Sequence, residues 1–211
     1  MAEQVPRVVV SRLPLYYRIM SLLEEEKRGV VSSQELGARL QLTAAQIRKD
    51  LSYFGRFGKQ GKGYNVKRLL QELRKILGLD REWGMAVVGV GKLGRALLGY
   101  GAFPAQGFRI VAAFDSDASQ IGRKVGNLTV QDISELPSAL ASKRVQIAVV
   151  SVPPPQAQTA IDQLTKYGVR AILNYAPVHA QVPNGIQLRD VDPVMALQSM
   201  TFYLKNSQPQ R

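Results

Sequence analysis

The segment that most constrains this chain runs from Met85 through Ala-Val-Val-Gly89-Val90-Gly91-Lys92-Leu93-Gly94 into the apolar stretch Ala96-Leu-Leu98. An apolar run with no polar alternation reads as a strand buried on both faces, the habit of parallel sheets. It passes directly into Gly-x-Gly-x-x-Gly and then into helical spacing. In that setting each glycine has a task. Gly89 permits the tight turn, Gly91 lets backbone N–H groups approach a pyrophosphate, and Gly94 lets helix and strand pack closely. The loop Gly89, Val90, Gly91, Lys92, Leu93 and Gly94 is therefore expected to hold a dinucleotide.

The rest of residues 84–190 fits an α/β doubly wound parallel sheet of the Rossmann type. Arg109–Phe114 reads as the second strand and ends at Asp115, 21 positions beyond Gly94. A carboxylate there accepts hydrogen bonds from the adenine-side ribose and repels a 2′-phosphate, which favours NAD(H) over NADP(H). Arg123 and Lys124 blur that preference only slightly, because the first loop after the strand normally sets it. Val145–Val150 is a third apolar strand opening into Ser151-Val152-Pro153, and Val169–Leu173 is a fourth opening into Asn174-Tyr-Ala176-Pro177. Ligands of such sheets sit at the carboxyl ends of the strands. Ser151, Val152, Pro153, Asn174, Ala176 and Pro177 are thus expected to flank the cofactor, although either loop taken alone reads better as an ordinary proline-containing exit.

Residues 1–80 read differently. Tyr16, Ile19, Met20, Leu22 and Leu23 form a helical stripe within 15–26, with Gly29 as its stop. Ser32 with Glu35, then Thr43 with Gln46, repeat a capping-box signature at the start of two short helices separated by a tight turn. On its own that pattern suits equally a small helical hairpin with an exposed basic face and a helix-turn-helix, whose second helix, Ala44 to about Tyr53, would enter the major groove. Ala45, Arg48, Lys49 and Ser52 share its polar face. Arg48 suits a bidentate contact to guanine, while Lys49, Ser52 and Tyr53 suit phosphates. The following Gly55-Arg-Phe-Gly-Lys59-Gln-Gly-Lys62-Gly63-Tyr64 reads as a two-stranded wing with Lys59 and Lys62 near its tip, and it lacks the spacing of a phosphate-binding Walker loop. The chain carries a net charge of +12, and the segment Arg48–Arg68 holds seven basic residues against Asp50 alone. A solvated surface normally mixes signs, so this concentration points to double-stranded DNA as a partner.

Composition removes several classes. Without cysteine there is no disulfide framework and no thiolate nucleophile or metal site, and no metal is expected; a cytoplasmic location fits. The start MAEQVPRVVVSRLP lacks the apolar core of a signal peptide, and the apolar runs Val8–Val10, Met85–Val90 and Ile147–Val152 are too short to span a membrane. The main rival function is an NAD-dependent dehydrogenase. It would need a substrate domain, yet residues 84–211 are consumed by the nucleotide fold and a final helix. It would also need a proton donor; the one histidine, His179, lies between apolar stretches, and Tyr100 has no lysine at the spacing of a Tyr–Lys pair. A regulator taking another nucleotide or a sugar phosphate in the same crevice stays open on these grounds.

Together, Gln46-Ile-Arg-Lys-Asp-Leu-Ser-Tyr-Phe-Gly55, Gly89-Val-Gly-Lys-Leu-Gly94 and Asn174-Tyr-Ala-Pro177 resemble the Rex family of redox-sensing transcriptional repressors, over nearly the whole chain from Ser11-Arg-Leu13 to Phe202. The first motif is specific and the glycine motif generic. The resemblance implies a winged-helix homodimer that binds palindromic operator DNA and is released when NADH binds, with NAD+ competing for the site. It implies a domain-swapped dimerisation helix at about Pro193–Leu204 within 191–211. It further implies that Asp192, otherwise readable as a helix cap, approaches a tyrosine near the nicotinamide and an arginine of the first helix. The matching positions are Tyr100 and Arg18.

Overall fold

The first helix runs through its own proline. In the computed structural model, which describes residues 5–59 and 62–207, α1 spans Arg7–Glu25 with Pro14 inside it. Pro14 removes one backbone donor, but Val9, Leu13, Tyr16, Met20 and Leu23 form a single buried stripe across it, and that packing outweighs one lost hydrogen bond. The helix therefore starts well before the expected residue 15. It also stops earlier than Gly29, at Glu25, after which Lys27 takes a left-handed φ of 57°.

Two compact units divide the chain, Met1–Arg81 and Glu82–Arg211. In the first, α2 (Ser33–Leu40) and α3 (Ala44–Ser52) form the helix-turn-helix. Ser32 and Thr43 cap them, accepting from the N–H groups of Glu35 at 3.0 Å and Gln46 at 3.1 Å. The reciprocal halves of the expected capping boxes do not form. The Glu35 carboxylate turns to Arg28 at 3.2 Å, and the Gln46 amide donates to Asp50 at 2.6 Å, because charged partners outcompete a backbone amide. The wing is a sheet of order β1-β3-β2, all antiparallel, made of β1 (Val30–Val31), β2 (Gly58–Lys59) and β3 (Gly63–Asn65). A third strand of only two residues leaves no periodic trace in sequence. α4 (Val66–Ile76) packs on α1, and Gly78, at φ 67°, ends the run.

The second unit holds β4 (Trp83–Val88), β5 (Phe108–Asp115), β6 (Lys124–Val125), β7 (Leu128–Asp132), β8 (Val145–Val150), β9 (Ala171–Asn174) and β10 (Gln187–Asp190), in the order β10-β9-β8-β4-β5-β7-β6. All pairs are parallel except β6 with β7, so the sheet carries one antiparallel edge. The chain winds outward from β4 in one direction and then, from β8, in the other, which leaves a crevice at the carboxyl ends of β4 and β8. α7 (Leu136–Lys143) and α8 (Pro154–Lys166) cover one face over Val88, Phe114, Ala148 and Val150. α5 (Lys92–Leu98) and α6 (Ala102–Ala105) cover part of the other over Met85 and Val87. The remainder of that face is an apolar groove of about 500 Å³ lined by Tyr100, Phe103, Ile147, Leu173 and Leu188. α9 (Pro193–Ser207) leaves Met195, Leu197, Met200, Phe202, Tyr203 and Leu204 each more than half exposed. No helix among the described residues is long and apolar enough to cross a membrane.

Candidate DNA-reading and cofactor sites

α3 buries Ile47 and Leu51 and turns Ala45, Arg48, Lys49 and Ser52 outward, with Tyr53 half-buried at its C-cap. One Arg48 nitrogen donates to the Ser33 hydroxyl at 3.0 Å, which aims the guanidinium across the start of α2. Ser33, Arg48, Ser52, Arg56, Gly58 and Tyr64 line a concave, polar surface between α2, α3 and the wing. Burial pushes the Tyr64 hydroxyl above its ordinary range, against the lowering effect of the nearby Arg48 charge. Lys62 is exposed on the wing, whereas the Lys59 side chain lies outside the described residues.

Behind this face sits a polar cluster that pattern reading misses. Asp50 is fully buried. Its carboxylate accepts from Arg12 Nε at 2.6 Å and Nη2 at 2.8 Å, from the Tyr16 hydroxyl at 2.5 Å, and from Gln46 Nε2 at 2.6 Å. Burial alone would push the Asp50 carboxyl upward, but the hydrogen bonds from Arg12, Tyr16 and Gln46 outweigh it and hold it below the ordinary carboxylate range. Burial and the Asp50 hydrogen bond push the Tyr16 hydroxyl far up, and Asp50 keeps Arg12 fully charged. α3 is thus fixed to α1 by a charge-assisted, bidentate pair. The only signal available in the sequence was Asp50 itself, the single acid in a basic segment.

In the second unit the glycine loop has the geometry its sequence demands. Gly89 sits at φ 92°, and a Cβ there would meet the Ser151 carbonyl at 2.7 Å. A Cβ on Gly94 would fall inside the Gly89 carbonyl oxygen, whereas one on Gly91 would meet nothing within 4 Å. The open space over Gly91, at the start of α5, is where an approaching diphosphate needs a bare backbone, so the residues present fit a dinucleotide. Lys92 and Leu93 are exposed beside it. Val90 is buried, and its N–H donates to Asp115 Oδ2 at 2.6 Å. Asp115 Oδ1 accepts from the Asp117 N–H at 3.0 Å. Each carboxylate oxygen keeps a further lone pair for a ribose hydroxyl. Arg95 braces the same loop, donating to the Val90 carbonyl and to Gln120, each at 3.0 Å.

A cavity of about 230 Å³ next to Asp115 is lined by Val88, Ser116, Ile133, Val152 and Thr159. Ser116, Ile133 and Thr159 were not among the expected residues; Ser116 directly follows Asp115, whereas Ile133 and Thr159 come from elements brought there by topology alone. Ser151 donates its hydroxyl to the Gly89 carbonyl at 2.8 Å and so ties the β8 exit to the glycine loop. Pro153 is the N-cap residue of α8. Asn174 and Ala176 are buried, and Pro177 is exposed beyond them. Tyr100 is 55% exposed in the turn after α5, its ring edge-on to Phe103 at 5.0 Å. Asp192 caps α9, accepting from the Val194 N–H at 2.8 Å, and Arg18 is exposed on α1 in the other unit.

Comparison with known proteins bears on both units. Residues 4–52 match the family model described as putative DNA-binding protein N-terminus, and residues 80–178 match the CoA binding domain model. The chain is 53% identical to the redox-sensing transcriptional repressor Rex of Chloroflexus aurantiacus, covering 96% of each chain. It is 45% identical to redox-sensing transcriptional repressor Rex 1 of Thermotoga maritima, covering 96% of this chain and 97% of the relative. Among solved structures, RSP in complex with β-NAD+ and operator DNA aligns with a TM-score of 0.92 at 34% identity, over 97% of this chain and 94% of that one. RSP in complex with β-NADH aligns with a TM-score of 0.88 at 32% identity, over 97% and 96%.

Proposed function

Since this chain belongs to the Rex family of redox-sensing transcriptional repressors, we propose that it binds palindromic operator DNA as a homodimer and leaves it when NADH takes the cofactor site. The observation that carries this reading is the presence, in one chain, of a basic recognition face on α3 and a glycine loop left open over Gly91. On the DNA side, Arg48 reads a guanine edge while Lys49, Ser52, Tyr53, Lys59 and Lys62 serve the phosphates. Arg48→Ala should weaken operator binding by about 1–3 kcal/mol and relax the preference at one base pair. A mobility-shift series over single base-pair changes checks this. If the variant binds the operator as tightly and as selectively as the wild type, Arg48 is not the reader.

On the cofactor side, the N–H groups at the start of α5 face the diphosphate of NADH or NAD+. Asp115 takes the ribose hydroxyls, and the Val88–Ile133–Thr159 cavity takes the adenine. Ser151–Pro153 and Asn174–Pro177 border the nicotinamide end. Asp115→Ala should narrow the gap between NADH and NADPH affinities by removing charge repulsion toward a 2′-phosphate. It should also weaken NADH itself, because the Val90 amide loses its acceptor. Nicotinamide fluorescence titrations read both. Equal affinity of the wild type for NADH and NADPH would remove Asp115 from this role.

NAD+ carries a cationic ring and NADH a neutral one, so a sensor needs neighbouring groups whose interactions differ between them. Tyr100, Asp192 and Arg18 supply a hydroxyl, a carboxylate and a guanidinium. The apolar side chains of α9, together with the uncovered groove on the sheet, give the homodimer its contact surface; exposed apolar area of this extent is typical of interfaces. The reading is regulatory rather than catalytic, and a repressor of this kind works on DNA in the cytoplasm. The test is a mobility shift on a palindrome with half-sites about 34–36 Å apart, or a multiple of it. NADH should release the DNA and NAD+ should not. Turnover of NADH with no effect on DNA binding would favour a dehydrogenase instead.

A further inference from the structure

Asn174, at the carboxyl end of β9, is fully buried and heavily committed. Its Oδ1 accepts from the Ala176 N–H at 3.0 Å, and its Nδ2 donates to the Ala176 carbonyl at 3.0 Å and to Asp190 Oδ1 at 2.9 Å. Its backbone carbonyl accepts from the Val191 N–H at 2.8 Å. The Asn174 side chain therefore closes the 174–177 turn on one side and holds the Asp190 carboxylate on the other, while the Asn174 backbone carbonyl holds the Val191 N–H. Asp190 faces Asn174 in the β10–β9 register, and two residues further on Asp192 caps α9. A buried amide cannot give up such partners cheaply, so a shift of Ala176 must either drag Asp190 with it or break the contact. Asp190 is exposed, and Asn174 Nδ2 keeps the Ala176 carbonyl as a second acceptor.

We propose that Asp190 is a positioning residue: through Asn174 it ties the cofactor-bordering turn 174–177 to the base of α9, and this tie carries part of the effect of NADH on operator binding. The inference rests on the repressor reading above. Asp190 Oδ1 accepts from Asn174 Nδ2 at 2.9 Å, so the tie needs an oxygen at that position. Asp190→Ala removes the acceptor while the Asn174 turn keeps its bonds to Ala176. Asp190→Asn keeps an oxygen in the same place.

The experiment measures operator affinity by mobility shift with and without saturating NADH, and NADH affinity by fluorescence, in the full-length wild type and both variants. Couplings of this kind usually span about 5–150-fold in affinity. In Asp190→Ala the NADH-induced loss of operator affinity should fall at least about threefold below the wild-type factor, toward the lower end of that range or beneath it. NADH affinity itself should stay close to the wild-type value. Asp190→Asn should restore the coupling. An unchanged factor in Asp190→Ala overturns the proposal, and so does an Asn variant as defective as the Ala one, since an acceptor in place would then not suffice. A wild type with no coupling overturns the repressor reading and this proposal with it, an outcome seen without any variant. Should Asp190→Ala bind neither ligand, amide hydrogen exchange in the wild type decides. NADH should change protection at Ala176, Val191 and Val194 together, and a change confined to Ala176 overturns the tie.

Discussion

Asp50→Ala is expected to lower the stability of the first unit by about 3–5 kcal/mol, the usual cost of removing one partner of a buried ion pair. Arg12, with a side chain only 18% exposed, is left without its counter-charge, and the buried Tyr16 hydroxyl and the Gln46 amide lose their common acceptor. Domains of this size hold only about 5–15 kcal/mol in total. α3 would lose its polar anchor to α1, so operator binding should disappear while the second unit still titrates with NADH. The pH dependence has a defined sign. The folded Asp50 carboxyl is held below its unfolded value, so its contribution is fully present above the unfolded pKa of about 3.9 and is lost as pH falls through the lower folded value. Urea midpoints for wild type and variant should therefore differ by a constant amount from pH 7 down to about 4 and converge below it. A variant as stable as the wild type at pH 7, or a gap that widens on acidification, would show that the cluster is not held by the Asp50 charge.

That cluster also marks the limit of what could be read from the residues. α3 was legible because its two faces are local: Ile47 and Leu51 inward, and Arg48, Lys49 and Ser52 outward, follow from helical spacing alone. Arg12 was not, for two reasons. The apolar stripe read from spacing began at residue 15, after it, and Arg12 meets Asp50 across 38 residues, a distance no periodicity reports. The same division runs through the second unit. Gly89, Gly91 and Gly94 belong to one strand–turn–helix, so spacing suggested a separate task for each; the tight turn at Gly89 and the close packing at Gly94 are present, and Gly91 is left open. Ile133 and Thr159 reach the cavity beside Asp115 only because β7 and α8 are brought there by the winding of the sheet. The capping boxes failed for a related reason: Glu35 and Gln46 have the right spacing, but Arg28 and Asp50 are stronger partners.

Gly91→Ala should separate cofactor binding from folding, which no substitution at the other two loop glycines can do. At Gly94 a methyl group would overlap the Gly89 carbonyl, and at Gly89 it would meet Ser151 from a backbone at φ 92°; either change must distort the fold before any ligand arrives. Gly91 has an ordinary φ of −67° and open space around its missing Cβ, so alanine costs the free protein nothing in strain or overlap. The methyl instead occupies the volume in which the diphosphate must lie to reach the N–H groups of α5. Losing hydrogen bonds to a charged group is worth about 1.5–3 kcal/mol each. NADH affinity should therefore fall by about 10–100-fold or more, with thermal stability and NADH-free operator binding unchanged. The variant becomes a repressor that no longer responds: it should stay on the operator at NADH concentrations that release the wild type. Fluorescence titration and a mobility shift on the same preparation test both halves. Undiminished NADH binding by a folded Gly91→Ala protein would mean that the dinucleotide does not cross the start of α5, and the cofactor site would have to be sought elsewhere on the sheet.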